Sequence, residues 1–183
     1  MSRVFGVIRQ LGYVVPDITS AITHWVERLQ VGPFFYIERQ PVNHFVFRGA
    51  PSAPPQISVA LAQAGPVQVE LIQQRNDVPS AFREFTDAGH EGLQHVAYWT
   101  DAFDALVGRA GELGYTELQS GRSGSGRPDE RFGYFTAGGH TGTVVEFSEV
   151  AGRKAALFDA VAAAAAGWDG TDPVRDMTTL VTR

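Results

Sequence analysis

With 183 residues, 44% of them hydrophobic and 19% charged, the chain has the composition of an ordinary globular protein able to fill a core. A net charge of −5 argues against a nucleic-acid partner, and the lack of cysteine excludes disulfides, thiolate metal sites and a cysteine nucleophile. No basic leader precedes an apolar segment, and no apolar run reaches the ~18–20 residues of a membrane span, so a cytoplasmic protein without membrane contact is expected.

Residues 7–15, rich in β-branched and apolar side chains, read as a strand stopped by Pro16. Asp17 is placed to cap a helix on which Ile18, Ala21, Ile22, Trp25, Val26 and Leu29 recur at helical spacing, and Gly32-Pro33 ends it. Residues 34–39 and 43–48 predict short strands, and 50–55, with three prolines, a loop. Residues 56–62 and 67–73 predict a hairpin turning at Gly65-Pro66. Residues 77–90, carrying Phe82 and Phe85, predict a linker helix.

A second unit follows. Residues 93–100 predict a strand, 103–113 a helix ended by Gly114, and 115–119 another strand. The glycine-rich stretch 121–128 predicts a flexible loop, without the strand-to-helix context of a phosphate loop. Residues 131–136 and 143–150 predict a last hairpin, joined by a turn that contains His140. An alanine-rich helix is expected to about residue 166, with Leu157, Phe158 and Val161 facing the domain; the polar tail after it reads as an arm for a partner subunit. Lys154 is the only lysine in the chain.

The two units repeat one pattern. Gln10 begins the apolar run of the first, and His95 stands 85 positions further on at the same point of the second. Each unit ends on a strand with one glutamate among valines, Glu70 and Glu146. Alternation puts Gln10 and Gly12 on one strand face and His95 and Ala97 on one face of the other. The small residues Gly12 and Ala97 leave room for an ion and a ligand. Taken singly, each of the four donors reads as an ordinary polar strand residue or a core histidine, but their equivalent placement points to a shared cleft. The expected organisation is a first β-α-β-β-β module over 1–76, a linker helix over 77–91, a second module over 92–150, and a C-terminal helix and tail over 151–183.

At these residues the chain resembles the vicinal oxygen chelate superfamily, which includes glyoxalase I, methylmalonyl-CoA epimerase, extradiol dioxygenases and bleomycin-resistance proteins. The resemblance implies an α+β fold of two β-α-β-β-β modules enclosing a metal cleft, and a homodimer. Carried over position by position, it implies Gln10, Glu70, His95 and Glu146 as ligands of one divalent ion: zinc, nickel, cobalt, manganese or magnesium. It further implies a lyase or isomerase of glyoxalase or epimerase type, acting on a small carbonyl-containing substrate. There the metal stabilises an enediolate, and Glu146, or secondarily Glu70, takes the proton. Ring-cleaving iron chemistry is disfavoured, because only one histidine occupies a ligand position. The competing reading is a metal-free binder of drugs or metabolites of bleomycin-resistance type, with Trp25, Trp99, Phe34, Phe35, Phe45 and Phe47 as candidate lining aromatics. Arg122, Arg127 and Arg131 are candidates to meet an anionic substrate tail.

Overall fold

The structure is a computed structural model that describes residues 1–138 and 143–181. Its elements in chain order are β1 (Ile8–Val14), α1 (Ile18–Glu27), β2 (Phe34–Gln40), β3 (Val42–Phe47), β4 (Ala50–Pro51), β5 (Ile57–Ala64), β6 (Val67–Gln74) and α2 (Ala81–Asp87). There follow β7 (Gly92–Thr100), α3 (Phe103–Glu112), β8 (Tyr115–Ser123), β9 (Arg131–Ala137), β10 (Val144–Glu149), α4 (Gly152–Ala165), β11 (Val174–Asp176) and α5 (Thr178–Val181). This is the α+β class expected from the repeat.

Among the described residues the strands form one sheet in the order β11-β2-β5-β6-β1-β7-β10-β9-β8-β3-β4. The duplication is visible in that order. In each half the last strand lies parallel to the first, β6 beside β1 and β10 beside β7, and the halves meet through the antiparallel pair β1 and β7. Two strands cross this symmetry. β3 leaves the first half and pairs with β8 of the second, carrying β4 with it, so the proline-bearing 50–55 stretch is not wholly loop. β11, from the tail, pairs in parallel with β2. Each outer edge thus gains a strand from elsewhere in the chain, which satisfies backbone groups that would otherwise lie open.

The tail therefore folds onto its own chain instead of reaching away as an arm. Phe34 donates its N–H to the Pro173 carbonyl at 2.8 Å, Met177 is buried, and the Trp168 ring lies against Gly32. A Cβ at position 32 would come within 2.7 Å of that ring. Gly32 makes room for Trp168; α1 has already ended at Glu27, and Gln30 takes the left-handed turn at φ 54°.

Local capping explains other boundaries. Asp17 accepts from the N–H groups of Thr19 and Ser20, as expected. Asp101 has no such role: α3 starts after Ala102, whose own N–H donates to Thr100 Oγ1. Ser80 caps α2 by accepting from the Arg83 N–H, which shortens the expected linker helix. In the glycine-rich stretch β8 persists to Ser123, and the turn beyond is held by the Glu130 carboxylate, which accepts from Ser125 Oγ and the Arg127 N–H.

Three apolar clusters follow from the layering. Ile18 and Ile22 of α1 pack with Val69 and Leu71 on one side of the first half. Phe103 and Ala110 of α3 pack with Val145 and Phe147 on the second. The third cluster joins Val59, Leu61 and Ile72 of the first half and Tyr134 of the second to Phe158 and Val161 of α4. That packing lays the C-terminal helix over the cleft.

Candidate metal centre

Strand register brings the repeated donors together. Gly12 sits opposite Glu70 on one side and His95 on the other, while Ala97 sits opposite Gln10 and Glu146. The small residues do leave space, but at Gly12 a protein side chain fills it. A Cβ there would overlap Cε1 and Nε2 of His95, so the glycine admits the imidazole itself.

Glu70, His95 and Glu146 each offer a ligand atom, all lying within 4.8 Å of one another. His95 Nε2 is 3.2 Å from Glu146 Oε2 and 3.4 Å from Glu70 Oε2. Neither His95 Nε2 nor Glu146 Oε2 completes a hydrogen bond, although both atoms are buried. On the far side of the ring His95 Nδ1 lies 2.7 Å from the Oε1 of buried Gln94. An amide oxygen can only accept, so the proton belongs on Nδ1 and the Nε2 lone pair is aimed at the carboxylates. A lone pair facing two carboxylates in the interior needs a cation between them, whether a proton or a metal. The residues present fit a divalent ion.

Gln10 lines the same space and is buried. Its Nε2 donates to Gln68 Oε1 at 2.6 Å, leaving its Oε1 as the atom able to ligate. The electrostatics match the crowding. Burial pushes the Glu70 carboxyl up and the Glu146 charge adds to this, outweighing His95. Burial also raises Glu146, but the His95 ring, Lys154 and Ser148 more than reverse it, so its net shift is downward. For His95 burial works downward, and the two carboxylates overcome it, bringing the imidazole up to about 9.

Gln10, Glu70 and Glu146 line one wall of a cavity of about 90 Å³. Its other walls are mainly apolar, with Phe45, Phe82, Phe132, Phe158 and Leu61 among them. Of the six aromatics expected to line a binding cleft, only Phe45 does so. Phe34 and Phe35 are core, Trp25 packs against Tyr13, and Trp99 stacks on Phe158 at 4.7 Å and beneath the Arg9 guanidinium. The arginines likewise serve elsewhere. Arg131 pairs with Glu149 and Asp104, Arg127 pairs with Asp129, and Arg122 donates to the Gly126 carbonyl. His140 lies outside the described residues.

Three polar residues of the cavity escaped the repeat pattern. Tyr134 stands opposite Glu146 in the β9–β10 register, its ring edge-on to His95 at 4.8 Å. Burial, then the neighbouring carboxylates, push its hydroxyl well above the usual range, so it stays protonated beside Glu146. Ser148 lies two residues beyond Glu146, on the same strand face. Lys154 reaches in from α4 and donates to Ser148 Oγ at 2.6 Å. Its standing as the sole lysine was the one signal available in the sequence.

The fold and the clustered donors define a two-module cleft protein with a metal-capable centre. Residues 9–134 match the family model of the Glyoxalase/Bleomycin resistance protein/Dioxygenase superfamily, and the chain belongs to that superfamily, the vicinal oxygen chelate group. Among solved structures, the hypothetical protein BH1468 from Bacillus halodurans C-125 superposes with a TM-score of 0.59 at 15% identity, over 80% of this chain and 95% of that one. Methylmalonyl-CoA epimerase from Mycobacterium tuberculosis gives 0.58 at 17% identity, over 85% and 95%. At these identities the likeness is one of fold. No match is found among curated proteins. No helix among the described residues is long and apolar enough to cross a membrane.

Proposed function

We propose that the chain is a metal-dependent isomerase or lyase that removes a proton from the carbon next to a carbonyl. The observation that carries this reading is the pair of buried, unsatisfied atoms His95 Nε2 and Glu146 Oε2, facing each other beside Glu70 at the end of an apolar cavity. A divalent ion held by Glu70, His95, Glu146 and the Gln10 oxygen would supply positive charge to a bound carbonyl oxygen, making the adjacent C–H acidic. Zinc, nickel, cobalt, manganese and magnesium all suit one imidazole with oxygen donors.

The chain's own groups do the rest. Gln94 holds His95 in the tautomer that leaves Nε2 free. The aromatic and aliphatic walls exclude water from the acidified carbon. Glu146 accepts the proton, with Glu70 as the second candidate, and returns it to the same carbon or its neighbour. The epimerase likeness supports this class through its fold, and the carbonyl substrate is inferred from the chemistry of the donor set.

Elemental analysis tests the reading directly. About one divalent ion per chain is expected after reconstitution. His95→Ala should abolish it, and Gln10→Ala should reduce it. Deuterium uptake from D2O next to the carbonyl of 2-oxo compounds or acyl thioesters should then depend on Glu146. No metal retained by the wild-type protein would sink the enzyme reading and leave the cavity as a binding site, which its aromatic lining would also serve.

A further inference from the structure

The cavity contains one cation that the proton-abstraction chemistry does not use. Lys154 is in the first turn of α4, beyond the residues that match the superfamily model. Burial depresses its pKa against the pull of Glu146 and Glu70. A lysine there is also disfavoured by the helix dipole, whose positive end lies at the N-terminus. Despite both costs, it forms an ion pair with no carboxylate among the described residues. Its contacts are the Ser148 hydroxyl, at 2.6 Å, and the Phe158 ring, whose centroid is 6.0 Å away. An ammonium has three donors, and among the described residues only Ser148 Oγ accepts from this one.

The position of Lys154 matters as much as its bonding. A second pocket, of about 360 Å³, shares Gln40, Ser123, Lys154, Leu157 and Met177 with the inner cavity. Lys154 therefore stands at the common wall of the two, where a molecule passing from the outer pocket to the donor cluster would meet it. Its ammonium faces a space whose remaining inner surface is chiefly apolar.

We propose that Lys154 is the substrate-anchoring residue for a carboxylate, and that the substrate is a small carbonyl-bearing carboxylic acid with a short apolar body. The carboxylate accepts from Lys154 and lies beside Ser148. The carbonyl end points to Glu70, His95 and Glu146. This assignment rests on the carbonyl-substrate reading for the far end of the molecule only; the anion anchor stands on the geometry of Lys154 alone.

The test uses 2-oxobutyrate and its uncharged counterpart 2-oxobutanamide as probes, titrated by calorimetry into wild type, Lys154→Met and Lys154→Gln, each zinc-reconstituted and chelator-treated. The expected result is that both substitutions weaken 2-oxobutyrate binding by about tenfold or more while leaving the amide much less affected, the scale of one charge-assisted hydrogen bond. Lys154→Gln keeps a donor for Ser148, so it serves if the methionine variant folds poorly. Equal 2-oxobutyrate affinity in wild type and variants, equal loss of both probes, or no binding of 2-oxobutyrate by the wild type would each overturn the anchor. Zinc content of the same preparations separates the two readings. A wild type that takes up neither zinc nor, on reconstitution, nickel, cobalt, manganese or magnesium fails as a metal enzyme, yet the Lys154 comparison on chelator-treated protein still decides the anchor.

Discussion

His95 Nε2 and Glu146 Oε2 face each other at 3.2 Å across adjacent strands β7 and β10, buried and without a completed hydrogen bond. Gln94, the neighbour of His95 in sequence, sets this up from behind the ring. Replacing Gln94 by leucine removes the acceptor for Nδ1–H and frees the ring to turn. Partners behind a metal-bound histidine are typically worth 10–100-fold in affinity, so Gln94→Leu should weaken zinc binding by about that factor with the fold intact. Competition with a chromophoric chelator measures it; unchanged affinity would show that the tautomer is set by something else.

Gly12→Ala should destroy the centre without touching a donor. The added Cβ would occupy the space of the His95 ring. The strand can accept alanine, so the imidazole must leave, at an overpacking cost of about 1–3 kcal/mol. Metal content and thermal unfolding should fall together; a metal-replete Gly12→Ala protein would contradict the placement of His95.

Metal uptake should depend on pH with a definite sign. In the metal-free protein the carboxylates outweigh burial and raise His95 to about 9, so the ring is charged at neutral pH. Coordination needs the neutral ring, and binding at pH 7 should release about one proton, seen as a buffer-dependent enthalpy in calorimetry. Affinity should rise with pH and level off above about 9. The same raised value means that His95 stabilises the metal-free fold below its unfolded pKa of ~6.5, and that this is lost as pH climbs through the folded value. A metal affinity flat from pH 6 to 9 would rule the account out.

Arg131 ties α3 to the second half of the sheet and should matter for stability alone. It donates to both oxygens of buried Glu149 and to Asp104, and it stacks 4.7 Å above the Phe103 ring. Arg131→Met strands the Glu149 carboxylate, at a cost of about 2–4 kcal/mol in urea denaturation. Metal content should be unchanged, since no donor is touched.

Much of the architecture was legible because it is local and repeated. Strand alternation placed Gln10 with Gly12 and His95 with Ala97, and equivalent positions in the two units marked Glu70 and Glu146 as partners; the structure brings Glu70, His95 and Glu146 into one cluster. Misreadings fell where local pattern has no purchase. Gly32-Pro33 reads as the end of α1, whereas the helix stops at Glu27 and Gly32 makes room for the Trp168 ring. Gly12 reads as room for an ion, whereas the ring that fills it belongs to a residue far along the chain. The arginines of 122–131 look available until their partners are in place: the Gly126 carbonyl for Arg122, Asp129 for Arg127, and the more distant Asp104 and Glu149 for Arg131.

By itself the sequence determined the duplicated α+β modules and the equivalent positions of Gln10, Glu70, His95 and Glu146 within them, since periodicity and register are properties of neighbouring residues. Only the tertiary structure decided how the cleft is closed. β3 crosses to β8, β11 returns to β2, and α4 lays Phe158 and Lys154 over the cavity. Those choices depend on which apolar faces and open strand edges meet across long separations, and apolar burial has no direction that a linear pattern could record.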